Sequence, residues 1–149
     1  MTLTGGCFCG NVRYSVNGIP VMSAYCHCTN CQRLTGCPFV HTIHFEASAF
    51  SWADPGCHQA QLDGYTVSNK PWKTRWRCKQ CGTTVASFNS NSNRWSVWGA
   101  QLDRDEDGQV RCFELVQPTA HVFYGTRMLD INDNLGKWEG YEQLSRRVE

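Results

Sequence analysis

The chain has 149 residues, 41% of them apolar, and a net charge of +1 at pH 7. That length supports one domain with a real core. The near-neutral charge gives no support to non-specific nucleic-acid binding, which rests on clustered cations, and no run of about 18 apolar residues exists to span a membrane. Met1-Thr2-Leu3-Thr4-Gly5-Gly6 has neither a basic n-region nor an apolar h-region, so no signal peptide is expected and a cytoplasmic or nuclear location is predicted.

Strand signals dominate the chain. Asn11 to Val16 alternates as a half-buried strand does, just after Cys7-Phe8-Cys9-Gly10, where Gly10 suits a tight turn. The one helix expected in the first half runs from Thr29 to Leu34, with Thr29 as N-cap and Gly36 as its stop. Further strands are predicted at Phe39 to Phe45 and Tyr65 to Val67. Lys73 to Arg77 and Thr83 to Phe88 should pair across a cysteine knuckle. Asn89-Ser90-Asn91-Ser92-Asn93 reads as a polar turn, followed by strands at Arg94 to Ala100 and Gln109 to Val116. Residues 136 to 149 are aromatic then charged, and the last of them read as a short helix or a frayed end. A single domain over residues 1–149, with its core at about 3–140, is the expected organisation.

Ten cysteines are many for this length. With no secretion signal, metal ligation explains them better than disulfides. Seven fall in three groups: Cys7-Phe8-Cys9, Cys26-His27-Cys28-Thr29-Asn30-Cys31, and Cys78-Lys79-Gln80-Cys81-Gly82. Zinc takes four ligands in a tetrahedron. Joining the first pair to the last makes a closed site of Cys7, Cys9, Cys78 and Cys81, with the C-x-C side chains on one strand face. Cys26, Cys28 and Cys31 remain. Three thiolates on one segment leave a fourth position for substrate, as catalytic zinc sites do. The other reading is a second structural zinc completed by Cys37, His41 or His44. Cys37, Cys57 and Cys112 have no close partner and read as free buried cysteines.

In order and spacing, these motifs resemble the glutathione-dependent formaldehyde-activating enzyme family, also named for centromere protein V. The resemblance is carried by Gly6 to Gly10 with Val12-Arg13-Tyr14, by Cys26 to Gly36 with Pro38-Phe39, by Cys78 to Thr83, by Gly99-Ala100-Gln101-Leu102-Asp103, by Pro118 and His121, and by Lys137-Trp138-Glu139-Gly140. It implies an Mss4-like fold: mainly β, built of sheets around zinc, with few short helices. It also implies two zinc ions per chain, one structural on Cys7, Cys9, Cys78 and Cys81, and one catalytic on Cys26, Cys28 and Cys31. The activity it implies is that of a carbon–sulfur lyase like S-(hydroxymethyl)glutathione synthase, with a small thiol such as glutathione as substrate.

His27, His44 and His121 are the acid–base candidates, though each reads first as structural. Lys73, Arg75, Arg77 and Lys79 alternate, so a strand would set them on one face, where arginine suits a carboxylate. With Trp72 and Trp76 nearby, the same strip could serve nucleic acid. A non-catalytic zinc module that binds a protein or nucleic acid is therefore the alternative function. Asp103 to Gly108 with Glu114 satisfies the calcium-loop pattern, but strands on both sides argue for a hairpin turn.

Overall fold

A computed structural model describes the backbone of all 149 residues and the side chains of all except Cys57 and His58. In chain order the elements are β1 (Thr2–Gly6), β2 (Arg13–Asn17), β3 (Met22–Cys26), α1 (Thr29–Thr35), β4 (Val40–Glu46), β5 (Phe50–Trp52), α2 (Cys57–Gln61), β6 (Leu62–Thr66), β7 (Lys73–Cys78), β8 (Thr84–Asn89), β9 (Arg94–Trp98), β10 (Ala120–Val122) and β11 (Gly136–Lys137). They form a three-stranded sheet, β1-β2-β5, and an eight-stranded sheet, β11-β10-β3-β4-β9-β8-β7-β6. The mainly-β architecture is the one expected. No helix is long and apolar enough to cross a membrane.

The pleat sorts the side chains. On β4, Ile43 and Phe45 turn one way and, with Val85 and Val97, pack against Leu3, Tyr14 and Val16 of the small sheet. Phe50 stacks on Trp95 at 4.3 Å between ring centres. The alternate residues Thr42, His44, Ser96 and Trp98 turn the other way and line a cavity. One sheet thus carries a core on one face and a site on the other, as period-two alternation demands.

Several local expectations need correction. The N-cap of α1 is Cys28, not Thr29: its sulfur accepts a hydrogen bond from the Cys31 amide at 3.3 Å. Gly36 does end the helix, at φ 72°. Cys7 and Cys9 lie in the turn after β1 rather than on a strand. The strand expected at Tyr65 to Val67 lies earlier, as β6. Gln109 to Val116 is not a strand. A left-handed Cys112 (φ 53°) leads into a 3-10 turn over Phe113–Leu115, which packs apolar side chains on the core without a neighbouring strand. Residues 136–149 are neither helical nor frayed. The Glu139 amide reaches the Arg146 carbonyl at 2.9 Å, and the Val148 amide reaches that of Lys137 at 2.8 Å, so the tail folds back on itself. Cys37 is exposed and Cys112 half-buried, against the expectation of buried thiols, and the side chain of Cys57 lies outside the described residues.

The segment at Asp103 is a turn. Arg13 and Thr4 hold the Asp103 carboxylate. Asp105 accepts the amides of Asp107 and Gln109, each at 2.9 Å. Local hydrogen bonds engage one oxygen of each of these two carboxylates, and among the described residues no acidic metal cluster forms here.

Gly99 follows β9 against β4. A Cβ there would lie 2.0 Å from His41 Nδ1. His41 cannot yield, because Nε2 lies 2.8 Å from Ser23 Oγ and 3.0 Å from the Val116 carbonyl. We expect Gly99→Ala to cost about 1–3 kcal/mol through overpacking. The check is a lower denaturant midpoint with an unchanged m-value.

Candidate functional site

Two cysteine groups form, and they are the two expected from spacing. In the first, the sulfurs of Cys7, Cys9, Cys78 and Cys81 lie within 4.8 Å of one another. Cys7 and Cys9 are 3.6 Å apart, and Cys9 and Cys78, 69 residues apart in sequence, are 3.8 Å apart. Two turns present them. The Gly10 amide bonds the Cys7 carbonyl at 3.1 Å and the Gly82 amide bonds that of Cys78 at 2.9 Å. Both glycines adopt left-handed φ, near 80° and 76°, which costs a glycine little.

The second group has three members. Cys26 ends β3, Cys28 caps α1, and Cys31 lies in its first turn, 3.6 Å from Cys26. Among the described residues no fourth histidine, cysteine or carboxylate joins them. Cys37 and His41 line a separate cavity with Gly82 and Thr83. His44 lines the cavity in front of the three thiols but stands outside the cluster.

Both groups fit a zinc ion. A tetrahedron with arms of about 2.3 Å sets its sulfurs about 3.8 Å apart, which is the spacing seen. Charge points the same way. Hydrogen bonds from Cys26 and then Cys31 pull Cys28 down to about 2, while bonds to Cys28 and Cys31, and then burial, push Cys26 far up. A coordinated divalent ion would favour the ionised form of every thiol. In the first group the Thr83 hydroxyl, ahead of the neighbouring amides, brings Cys81 down to about 5.

The cavity before Cys26, Cys28 and Cys31 has a volume of about 260 Å³. Trp98, Val122 and Phe123 wall it, and Lys70, Lys73 and Arg75 also line it. It shares Met22, His44, Lys73, Ser96 and Tyr141 with a larger cleft of about 780 Å³. The four cations expected on one face of β7 are divided. A register shift between Trp76 and Arg77 separates them. Arg77 and Lys79 turn to Asp63 of the edge strand, at 3.7 and 4.0 Å, while Lys73 and Arg75 keep the cavity. Trp76 lies over Gly64 and packs on the core.

Behind the sheet lies an arrangement that spacing could not reveal. Asp133 Oδ2 accepts from His121 Nε2 at 2.8 Å. A carboxylate only accepts, so His121 Nε2 carries the proton of that bond, and His121 Nδ1 lies 2.8 Å from His27 Nε2. Lys137, only 3% exposed, donates to Asp133 Oδ1 at 2.8 Å. His27 stacks on Phe39 and does not line the cavity. Burial first, then His121, bring it down to about 4, so it stays neutral at pH 7. The chain of contacts braces the Cys26–Cys28 segment from the side opposite the cavity.

Burial pushes the Asp133 carboxyl up, but bonds from His121 and Lys137 outweigh it and bring it down to about 2. A depressed carboxyl stabilises the fold fully above its ordinary value of 3.8 and loses that effect as pH falls through about 2. We expect Asp133→Ala to cost about 3–5 kcal/mol in chemical unfolding, because Lys137 is left charged and unpaired. Adding Lys137→Met should recover part of that loss.

The profile of the glutathione-dependent formaldehyde-activating enzyme family matches residues 2–126. A solved Rhodobacter sphaeroides protein is similar in structure, at 19% identity and a TM-score of 0.54, with 67% of this chain and 87% of that one covered. At that identity it supports the fold alone. No curated protein sequence matched. With more than half its length matched, and with both cysteine groups assembled, this chain belongs to the glutathione-dependent formaldehyde-activating enzyme family.

Proposed function

We propose that the chain is a zinc-dependent carbon–sulfur lyase acting on the adduct of a small thiol, of the glutathione type, with formaldehyde. Cys7, Cys9, Cys78 and Cys81 hold a structural zinc, and Cys26, Cys28 and Cys31 a catalytic one. The observation that carries this reading is the second group: three clustered thiols, no fourth ligand among the described residues, and a cavity in front of them.

A zinc ion held there supplies Lewis acidity, which favours the thiolate form of a thiol and polarises a carbonyl. In the condensation a sulfur–carbon bond forms and the carbonyl π pair moves to oxygen. The proton that the thiol gives up ends on that oxygen. The reverse reaction breaks the same bond and returns thiol and aldehyde. Trp98, Val122 and Phe123 limit water around the reacting atoms, and Thr42 and Ser96 offer hydroxyls to the new alcohol. Of the three histidine candidates, His44 alone lines the cavity. Burial first, then Lys73 and Arg94, bring it down to about 4, so it is neutral at pH 7 and a weak base.

The test is metal content together with turnover. Wild type is expected to hold two zinc ions. Cys28→Ser should keep its fold, lose one ion and lose more than about 100-fold in kcat/KM. Cys78→Ser should unfold, since structural zinc contributes on the order of 10 kcal/mol to folding in small domains. A Cys28→Ser protein that unfolds, or that retains activity, would sink the assignment of the second site.

A further inference from the structure

Arg75 lies in the middle of β7 with only 8% of its surface exposed. Several other cations have carboxylates: Arg13 has Asp103, Arg77 has Asp63, Arg94 has Glu46, and the buried Lys137 has Asp133. Arg75 has none among the described residues. It forms none of their ion pairs or side-chain hydrogen bonds, and it lines the cavity that holds Cys26, Cys28 and Cys31. Lys73 lies two residues away on the same face, and Lys70 stands at the same wall. No aspartate or glutamate lines this cavity.

Burying an unpaired guanidinium costs several kcal/mol, so the fold retains one here only against an anion. The metal centre alone does not account for the cations. Three thiolates around a divalent ion leave one net negative charge, and three cations surround it. We infer that Arg75, supported by Lys73, receives a carboxylate of the substrate while its sulfur lies at the three-cysteine site. This rests on the proposed thiol chemistry and deepens it: the site selects thiols that carry a carboxylate within reach of the reacting sulfur. A planar guanidinium suits that role because it grips both carboxylate oxygens at once.

The test separates binding from turnover. S-methylglutathione keeps the carboxylates but has no free thiol, so calorimetry with the zinc-loaded protein reads recognition even if no adduct is ever turned over. Wild type should bind it about 10- to 100-fold more tightly than its dimethyl ester. Arg75→Gln, with its zinc content verified, should bind acid and ester alike, and Arg75→Lys should fall between. In kinetics, Arg75→Gln should raise KM for the glutathione adduct at least about 10-fold more than for the 2-mercaptoethanol adduct. Should Arg75→Gln fail to fold, Lys73→Gln is expected to narrow the same preference. A wild type indifferent to esterification, a zinc-loaded Arg75→Gln that still discriminates, or loss of zinc on that substitution would each overturn the inference. The last outcome would mean that Arg75 serves the thiolate charge.

Discussion

The gathering of Cys7, Cys9, Cys78 and Cys81 is the constraint on which the rest of the molecule depends. It ties the end of β1, in the small sheet, to the β7–β8 turn near the far edge of the large one. The two sheets bury a shared core, but their strands come from distant parts of the chain. Bringing such segments together is entropically unfavourable, and a metal bound by these four thiols, as proposed above, would offset that loss at one point. Once the small sheet is fixed, β7 is fixed too, and with it the positions of Lys73 and Arg75.

From there the pleat does the sorting. Odd residues of β4 fill the core, while even residues face the cavity. On β3 the same alternation sends Cys26 to the cavity side and Tyr25 toward His121. His27 therefore joins the buried brace of His121, Asp133 and Lys137 instead of the reacting centre. The cavity side collects thiols and cations, and the reverse side collects His27, His121 and aromatic rings. Keeping the two apart lets the buried histidine pair brace the segment without closing the cavity.

Much of this was legible in the sequence, and the reason is local. Cysteine spacing within a turn, the glycine after a knuckle and strand alternation are short-range signals. They give both cysteine groups and most of the central strands. The long-range features were not legible. Nothing in the spacing of His27, His121, Asp133 and Lys137 says that they touch, because parallel pairing of β10 with β3 creates that contact. The division of the β7 cations depends on a register shift that their alternation does not encode. Residues 109–116 show real apolar alternation, but no partner strand was available to them, so burial came through a 3-10 turn. The calcium-loop motif failed for the same kind of reason: one oxygen each of Asp105 and Asp103 was already engaged, by the turn's own amides and by Arg13.

The tail carries one more consequence. The family-matching segment stops at Thr126, yet the carboxylate that orients His121, the lysine that neutralises it and Tyr141 at the cavity wall all lie beyond it. β11 is also the strand that covers the outer edge of β10. The cooperative folding unit is therefore longer than the stretch that defines the family. A chain truncated after residue 126 would expose a sheet edge and strand a buried histidine pair without its hydrogen-bonding carboxylate, even though every cysteine ligand would still be present.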